Sequence, residues 1–149
     1  MRSKLLAQGE NRTWALIFDK GDEVVEELTA FAKREELGAG HLTAIGALRD
    51  VTMGFFDPKR KEYRRIPVRE QVEVLSLLGD IALDSNDEPK VHAHVVVGKS
   101  DGTAHGGHLM EAHVWPTLEL ILTEPPQHLR RRPDPDSGLA LIDLRAFAA

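Results

Sequence analysis

Only one stretch of this chain repeats with the period of a helix, and almost everything around it alternates like strands. Val24, Val25, Leu28, Phe31 and Ala32 recur at i, i+4 and i+7 spacing, which gathers them on one apolar face. Asp22 is the expected N-cap, and Glu23 suits the first turn, where negative charge meets the positive end of the helix dipole. Lys33 and Arg34 lie near the other end and Gly38 is the expected stop, so the pattern predicts a helix of about 15 residues. A strand over Thr13–Phe18 precedes it and ends in the turn signal Asp19-Lys20-Gly21-Asp22.

After the helix, apolar and β-branched runs separated by turn residues read as strands. They fall at Gly40–Leu48, Val51–Phe56, Glu62–Pro67, Gln71–Leu78, Ile81–Leu83, Val91–Val97, Thr103–His108, Ala112–Val114 and Leu118–Leu122. Asp57-Pro58-Lys59-Arg60 and Gly98–Gly102 are turns between strands. The glycines between Gly40 and Leu48 mark a bulge or a close backbone approach. In Gln71–Leu78, Val72, Val74, Ser76 and Leu78 share one face, with Gln71, Glu73, Leu75 and Leu77 on the other. Both faces turn apolar toward the end, which predicts a strand buried on both sides there. Glu73 is then a carboxylate in need of a partner. One helix with many antiparallel strands implies an α+β domain, a curved antiparallel β-sheet packed against one main helix. At 149 residues, the chain suffices for one such domain, with its core over about 13–122 and a C-terminal arm over 123–149.

The arm begins rich in proline and arginine. Arg130-Arg131-Arg132 beside Pro133-Asp134-Pro135-Asp136 reads as a solvated segment that pairs with its own acids. Leu139–Leu144 is too apolar to hang free and is expected to dock on its own domain or on a neighbouring subunit.

Five of the seven histidines fall between Val91 and Thr117: His92, His94, His105, His108 and His113. His92 and His94, two apart in a strand, point to the same face about 7 Å apart along the chain. His108 returns beside them after the hairpin, and Gly106-Gly107 removes side chains that would crowd it. Three imidazoles with an open fourth position form the pattern of a catalytic zinc site. His105 and His113 lack the i, i+2 relation. With no cysteine in the chain, a metal site must use His, Asp or Glu, and another divalent ion remains an alternative to zinc. Glu73 and Glu111 are the carboxylates nearest the histidines, and either is a candidate general base; for Glu73 an outer-layer hydrogen bond or an intersubunit salt bridge is the alternative.

Net charge of −5 opposes nucleic acid and anionic membranes. The first residues show no signal-peptide pattern and no apolar run nears the roughly 20 residues that span a bilayer, so a cytoplasmic location is the default expectation.

Gly46-Ala47-Leu48, Glu73–Gly79, His92-Ala93-His94, Asp101-Gly102, Gly106-Gly107-His108 and Pro116-Thr117-Leu118-Glu119 occur in an order and spacing that resemble the plant and prokaryote conserved (PPC) domain. The similarity runs from about Thr13 to Leu122, and Ser137-Gly138-Leu139 resembles the tails of standalone prokaryotic members. The resemblance implies a homotrimer, with zinc on His92, His94 and His108; a small-molecule ligand near the metal is a further expected partner. Plant members add AT-hook segments that grip DNA. This chain has no Arg-Gly-Arg-Pro core, and Gln71 stands where plant members carry an Arg. The leading expectation is therefore a metal-binding homotrimer of unassigned activity. The alternatives are a DNA-binding or regulatory module and a metal-assisted hydrolase or lyase.

Overall fold

The computed structural model describes residues 1–147. In chain order the elements are β1 (Arg2–Gln8), β2 (Arg12–Phe18), α1 (Val24–Arg34), β3 (Ala39–Asp57), β4 (Glu62–Val68), β5 (Val72–Leu83), β6 (Pro89–Gly98), β7 (Ala104–Glu124), β8 (Arg131–Pro133) and β9 (Ala140–Ile142). Seven strands form one antiparallel sheet in the order β1-β2-β7-β6-β5-β3-β4. Because β7 also pairs with β3, the strands β3, β5, β6 and β7 close on themselves. The expected curved sheet with one main helix is what the chain adopts.

α1 buries Val24, Leu28, Phe31 and Ala32, the apolar stripe read from the sequence, against β6 and β7. Phe31 meets the ring of Trp14 edge-on at 5.7 Å between centroids. The core continues through Leu16, Phe18, Leu42, Leu48, Met53 and Leu120.

The helix is 11 residues long, shorter than its pattern predicts, and its cap is Glu23 rather than Asp22. Asp22 is engaged elsewhere, accepting the backbone N–H of Asp19 at 2.9 Å. Glu23 accepts from the Glu26 N–H at 2.7 Å and, through its other oxygen, from the Ala112 N–H at 2.8 Å. One carboxylate thus caps α1 and ties it to β7. The helix stops because Glu36 turns left-handed at φ 53° and Leu37 N–H reaches back to the Ala32 carbonyl at 2.9 Å.

Strands expected as separate pieces run on as single elements. β3 and β7 extend over 19 and 21 residues, their register interrupted by bulges at Gly46, Leu48 and Thr52. Gly46 has φ 148°, and a Cβ there would lie 2.4 Å from the Thr117 carbonyl oxygen, so the close approach expected of it is real.

The two-sided burial expected for the end of Gln71–Leu78 does not occur in the isolated chain. Val72, Val74 and Leu77 are buried, while Glu73, Leu75 and Leu78 are exposed. A bulge between Val74 and Ser76 shifts the alternation by one residue, so the inward set changes from even to odd positions. Glu73 faces solvent opposite Ala47 and Gly98.

The arm docks on its own chain. Leu129 N–H bonds the Gly38 carbonyl and Leu83 N–H bonds the Leu129 carbonyl, and β8 pairs with β9. Leu141, Ile142 and Leu144 nevertheless stay exposed. The arginines do pair with acids, but not with Asp134 or Asp136. Arg130 pairs with Asp87, Arg131 with Asp80 and Arg132 with Asp143. Arg131 is largely buried, with its side chain only 9% exposed.

Candidate metal centre

Strand alternation and one hairpin assemble the three histidines. In β6, Ala93, Val95 and Val97 enter the core, which turns His92 and His94 to the other face. The hairpin register sets His94 directly opposite His108 on β7. The ring centroids then form a nearly equilateral triangle, 5.3 Å for His92–His94, 5.2 Å for His92–His108 and 5.4 Å for His94–His108. One nitrogen from each ring lies within 4.8 Å of the others. A tetrahedral ion with bonds near 2.0–2.1 Å asks for nitrogens about 3.3 Å apart, a contraction within reach of side-chain rotation.

The three imidazoles differ in surroundings. His94 is exposed, His92 and His108 partly buried. Tyr63 stacks on His108 with centroids 4.6 Å apart and planes 23° from parallel. Burial, then the neighbouring His92, His94 and Arg131, push His108 down to about 4. Burial and the nearby His92 also lower His94. Both shifts favour the neutral ring, the form that donates a lone pair to a metal. His108 Nδ1 is buried and has no hydrogen-bond partner among the described residues.

Behind His92 stand two groups the sequence did not point to. Asp80 lies opposite His92 on β5, with Oδ2 3.4 Å from His92 Nδ1. Arg131 from the arm donates from Nη2 to Asp80 Oδ1 at 2.6 Å, and the same Nη2 is 3.1 Å from His92 Nδ1. Its Nη1 donates to the Ala140 carbonyl at 3.0 Å. Partial burial pushes the Asp80 carboxyl up, but hydrogen bonds from His92 and Arg131 outweigh it and leave the carboxyl below its ordinary value. His92 Nδ1 can donate to Asp80 or accept from Arg131, not both. A ring that coordinates through Nε2 carries its proton on Nδ1, and Asp80 is the acceptor for it.

The other candidates fall elsewhere. His105 is exposed farther along β7, opposite Val97, and His113 bonds Asp50 at 2.8 Å. Of the carboxylates, it is Asp80 that stands beside the histidines, not the expected Glu73 or Glu111. Glu111 pairs with Arg65 at 3.2 Å. Tyr63, Asp80 and Arg131 carry no local motif; only the register of β5 against β6 would have found Asp80.

The sequence model of the Plants and Prokaryotes Conserved (PCC) domain matches residues 6–126. The chain belongs to this family. Among solved structures it is similar to a plant- and prokaryote-conserved (PPC) protein of Pyrococcus horikoshii, at 34% identity and TM-score 0.83, covering 89% of this chain and 91% of that one. It is similar to a candidate DNA-binding protein of Bacteroides thetaiotaomicron, at 31% identity and TM-score 0.85, with 96% and 98% covered. It is also similar to the metal-containing protein AF0104 of Archaeoglobus fulgidus, at 30% identity and TM-score 0.82, with 96% and 99% covered. The bifunctional protein GlmU of Synechococcus sp. (strain JA-3-3Ab) is 31% identical over 99% of this PPC chain, which spans only 23% of that protein. No helix among the described residues is long and apolar enough to cross a membrane.

Proposed function

We propose that this PPC-family protein binds a divalent metal, zinc by preference, through His92, His94 and His108, and works as a homotrimer. The observation that carries the reading is the imidazole triangle, with one nitrogen of each ring within 4.8 Å of the others. Three further features fit a metal. His108 and His94 are held toward the neutral form. His108 Nδ1 is buried without a partner among the described residues, as suits a ligand atom. Asp80 stands where an outer carboxylate would fix the His92 tautomer. The similar Archaeoglobus protein is described as metal-containing. Nitrogen-only ligands in a three-coordinate protein set suit zinc, which would supply Lewis acidity at an open position. Glu73, solvent-facing in the single chain, keeps only its proposed role at a subunit boundary.

Support for the trimer comes from the resemblance and from a sheet face that the single chain leaves bare. Ile45, Leu75, Leu78 and Ile121 on β3, β5 and β7 are all exposed and gather around one depression. Contiguous apolar exposure of this kind marks an association surface.

Elemental analysis of the purified protein and of His92→Ala tests the metal reading. Stoichiometric metal in the parent and its loss in the variant are expected; background metal in both sinks the reading. DNA binding is the second reading, favoured by the similar Bacteroides protein and opposed by the net charge of −5. Phosphate contacts would show as a steep salt dependence in a duplex titration.

A further inference from the structure

The imidazole cluster has a cavity of about 290 Å³ at its side, bounded by His92 and His108, by Tyr63, and by Leu139 and Leu141 of the arm. That volume is at the lower end for small-ligand sites. Its lining combines an electrostatic imbalance with an apolar wall.

The charged groups that reach the cavity are Lys90, Arg131 and Asp84. Asp84 is committed: it pairs with Lys90 at 3.5 Å and accepts the N–H groups of Asn86 and Glu88. Asp80 is committed to Arg131. Among the described residues no carboxylate at the cavity is therefore left to neutralise a dication held by three uncharged rings. Arg131, its charge met by Asp80, still carries a buried Nε–H without a partner among the described residues, a donor that an anion can take. A low-dielectric site with surplus positive charge selects an anion. The rest of the wall is apolar. Leu139 and Leu141, two residues apart, line the cavity from the arm, and Tyr63 lines it from β4. These surfaces can bury an alkyl chain.

We propose that this cavity binds a small aliphatic carboxylate, its head at the imidazole cluster and its chain against Leu139, Leu141 and Tyr63. The proposal rests on the metal reading above and deepens it by naming the ligand class.

The test uses the full chain loaded with Co²⁺ in a non-coordinating buffer, read through the visible absorption of the bound cobalt. Acetate, butyrate, hexanoate, butyramide and inorganic phosphate are titrated separately. The carboxylates are expected to change the spectrum saturably. Affinity should rise about two- to fourfold for each added methylene, the gain for burying a CH₂ group. Butyramide should leave the spectrum unchanged. Leu141→Asp, at a position already 45% exposed, should weaken hexanoate more than tenfold (~1.4 kcal/mol) and leave cobalt loading intact. If that variant does not fold, the chain-length series on the parent protein decides alone. A spectrum that ignores hexanoate overturns the ligand proposal and spares the metal. So does a response to phosphate and acetate equal to that for hexanoate, which would mark plain anion coordination without a pocket. Failure of cobalt to load removes the metal reading itself.

Discussion

His94 and His108 face each other across the β6–β7 ladder with ring centroids 5.4 Å apart, and His92 completes the triangle from the same face of β6. Removing one corner leaves two ligands. His108→Ala should therefore lower metal affinity by more than about 100-fold, beyond the usual cost of losing an outer partner. His105→Ala, at an exposed position outside the cluster, should bind as the parent does. Competition against a chromophoric chelator measures both.

Asp80 stands behind His92 and holds Arg131. Asp80→Asn keeps the shape and removes the charge that favours the Nδ1–H tautomer. Metal affinity should fall about 10–100-fold. The metal-free protein should also melt earlier, because Arg131 loses its carboxylate partner in a site where it is only 9% exposed. An unchanged affinity would show that Asp80 serves only Arg131.

Ile45 is 63% exposed and adds nothing to the core of a single chain. Ile45→Glu should leave the thermal transition of the subunit in place but break the proposed trimer. Sedimentation should change from a species of three 16.6 kDa subunits to one. A variant that still sediments as a trimer would move the interface off this face.

Glu23 caps α1 and accepts from Ala112 on β7. Glu23→Ala removes both bonds, and loss of a cap alone costs about 1 kcal/mol. The melting temperature should drop by about 2–4 °C or more for a chain of this size, without loss of metal, as scanning calorimetry on metal-free and loaded samples would show.

Partial burial pushes the Asp50 carboxyl up, but hydrogen bonds from Arg49 and His113 outweigh it and hold it below its ordinary value. A carboxyl depressed in the folded state contributes stability above its unfolded pKa, and that contribution is lost as pH falls through the folded value. Asp50→Asn should thus be less stable than the parent at pH 7, and the two should converge below about pH 4. Urea unfolding at both pH values reads the difference.

Much of the fold is legible in the residues because burial leaves a periodic trace. Leu28, Phe31 and Ala32 reveal α1 since a helix must put one stripe on a sheet. The ends of that helix are not legible. Asp22 is the better local cap, yet Glu23 takes the position, where its other oxygen also serves the N–H of Ala112, 89 positions away. The inward face of β5 departs from the sequence pattern beyond Val74 because one bulge inverts the alternation, and no residue there announces it.

The candidate site divides along the same line. His92, His94 and His108 follow from the sequence alone, since an i, i+2 pair and a short hairpin fix which rings share a face. The absence of cysteine likewise determined that any metal there meets nitrogen or oxygen. Only the tertiary structure decided that Asp80 rather than Glu73 stands behind His92, and that Arg131 is buried beside it instead of solvated. Those partners lie 51 and 39 positions from Arg131. Local periodicity encodes which face a side chain takes, whereas the meeting of distant strands depends on register, bulges and the closure of β7 onto β3.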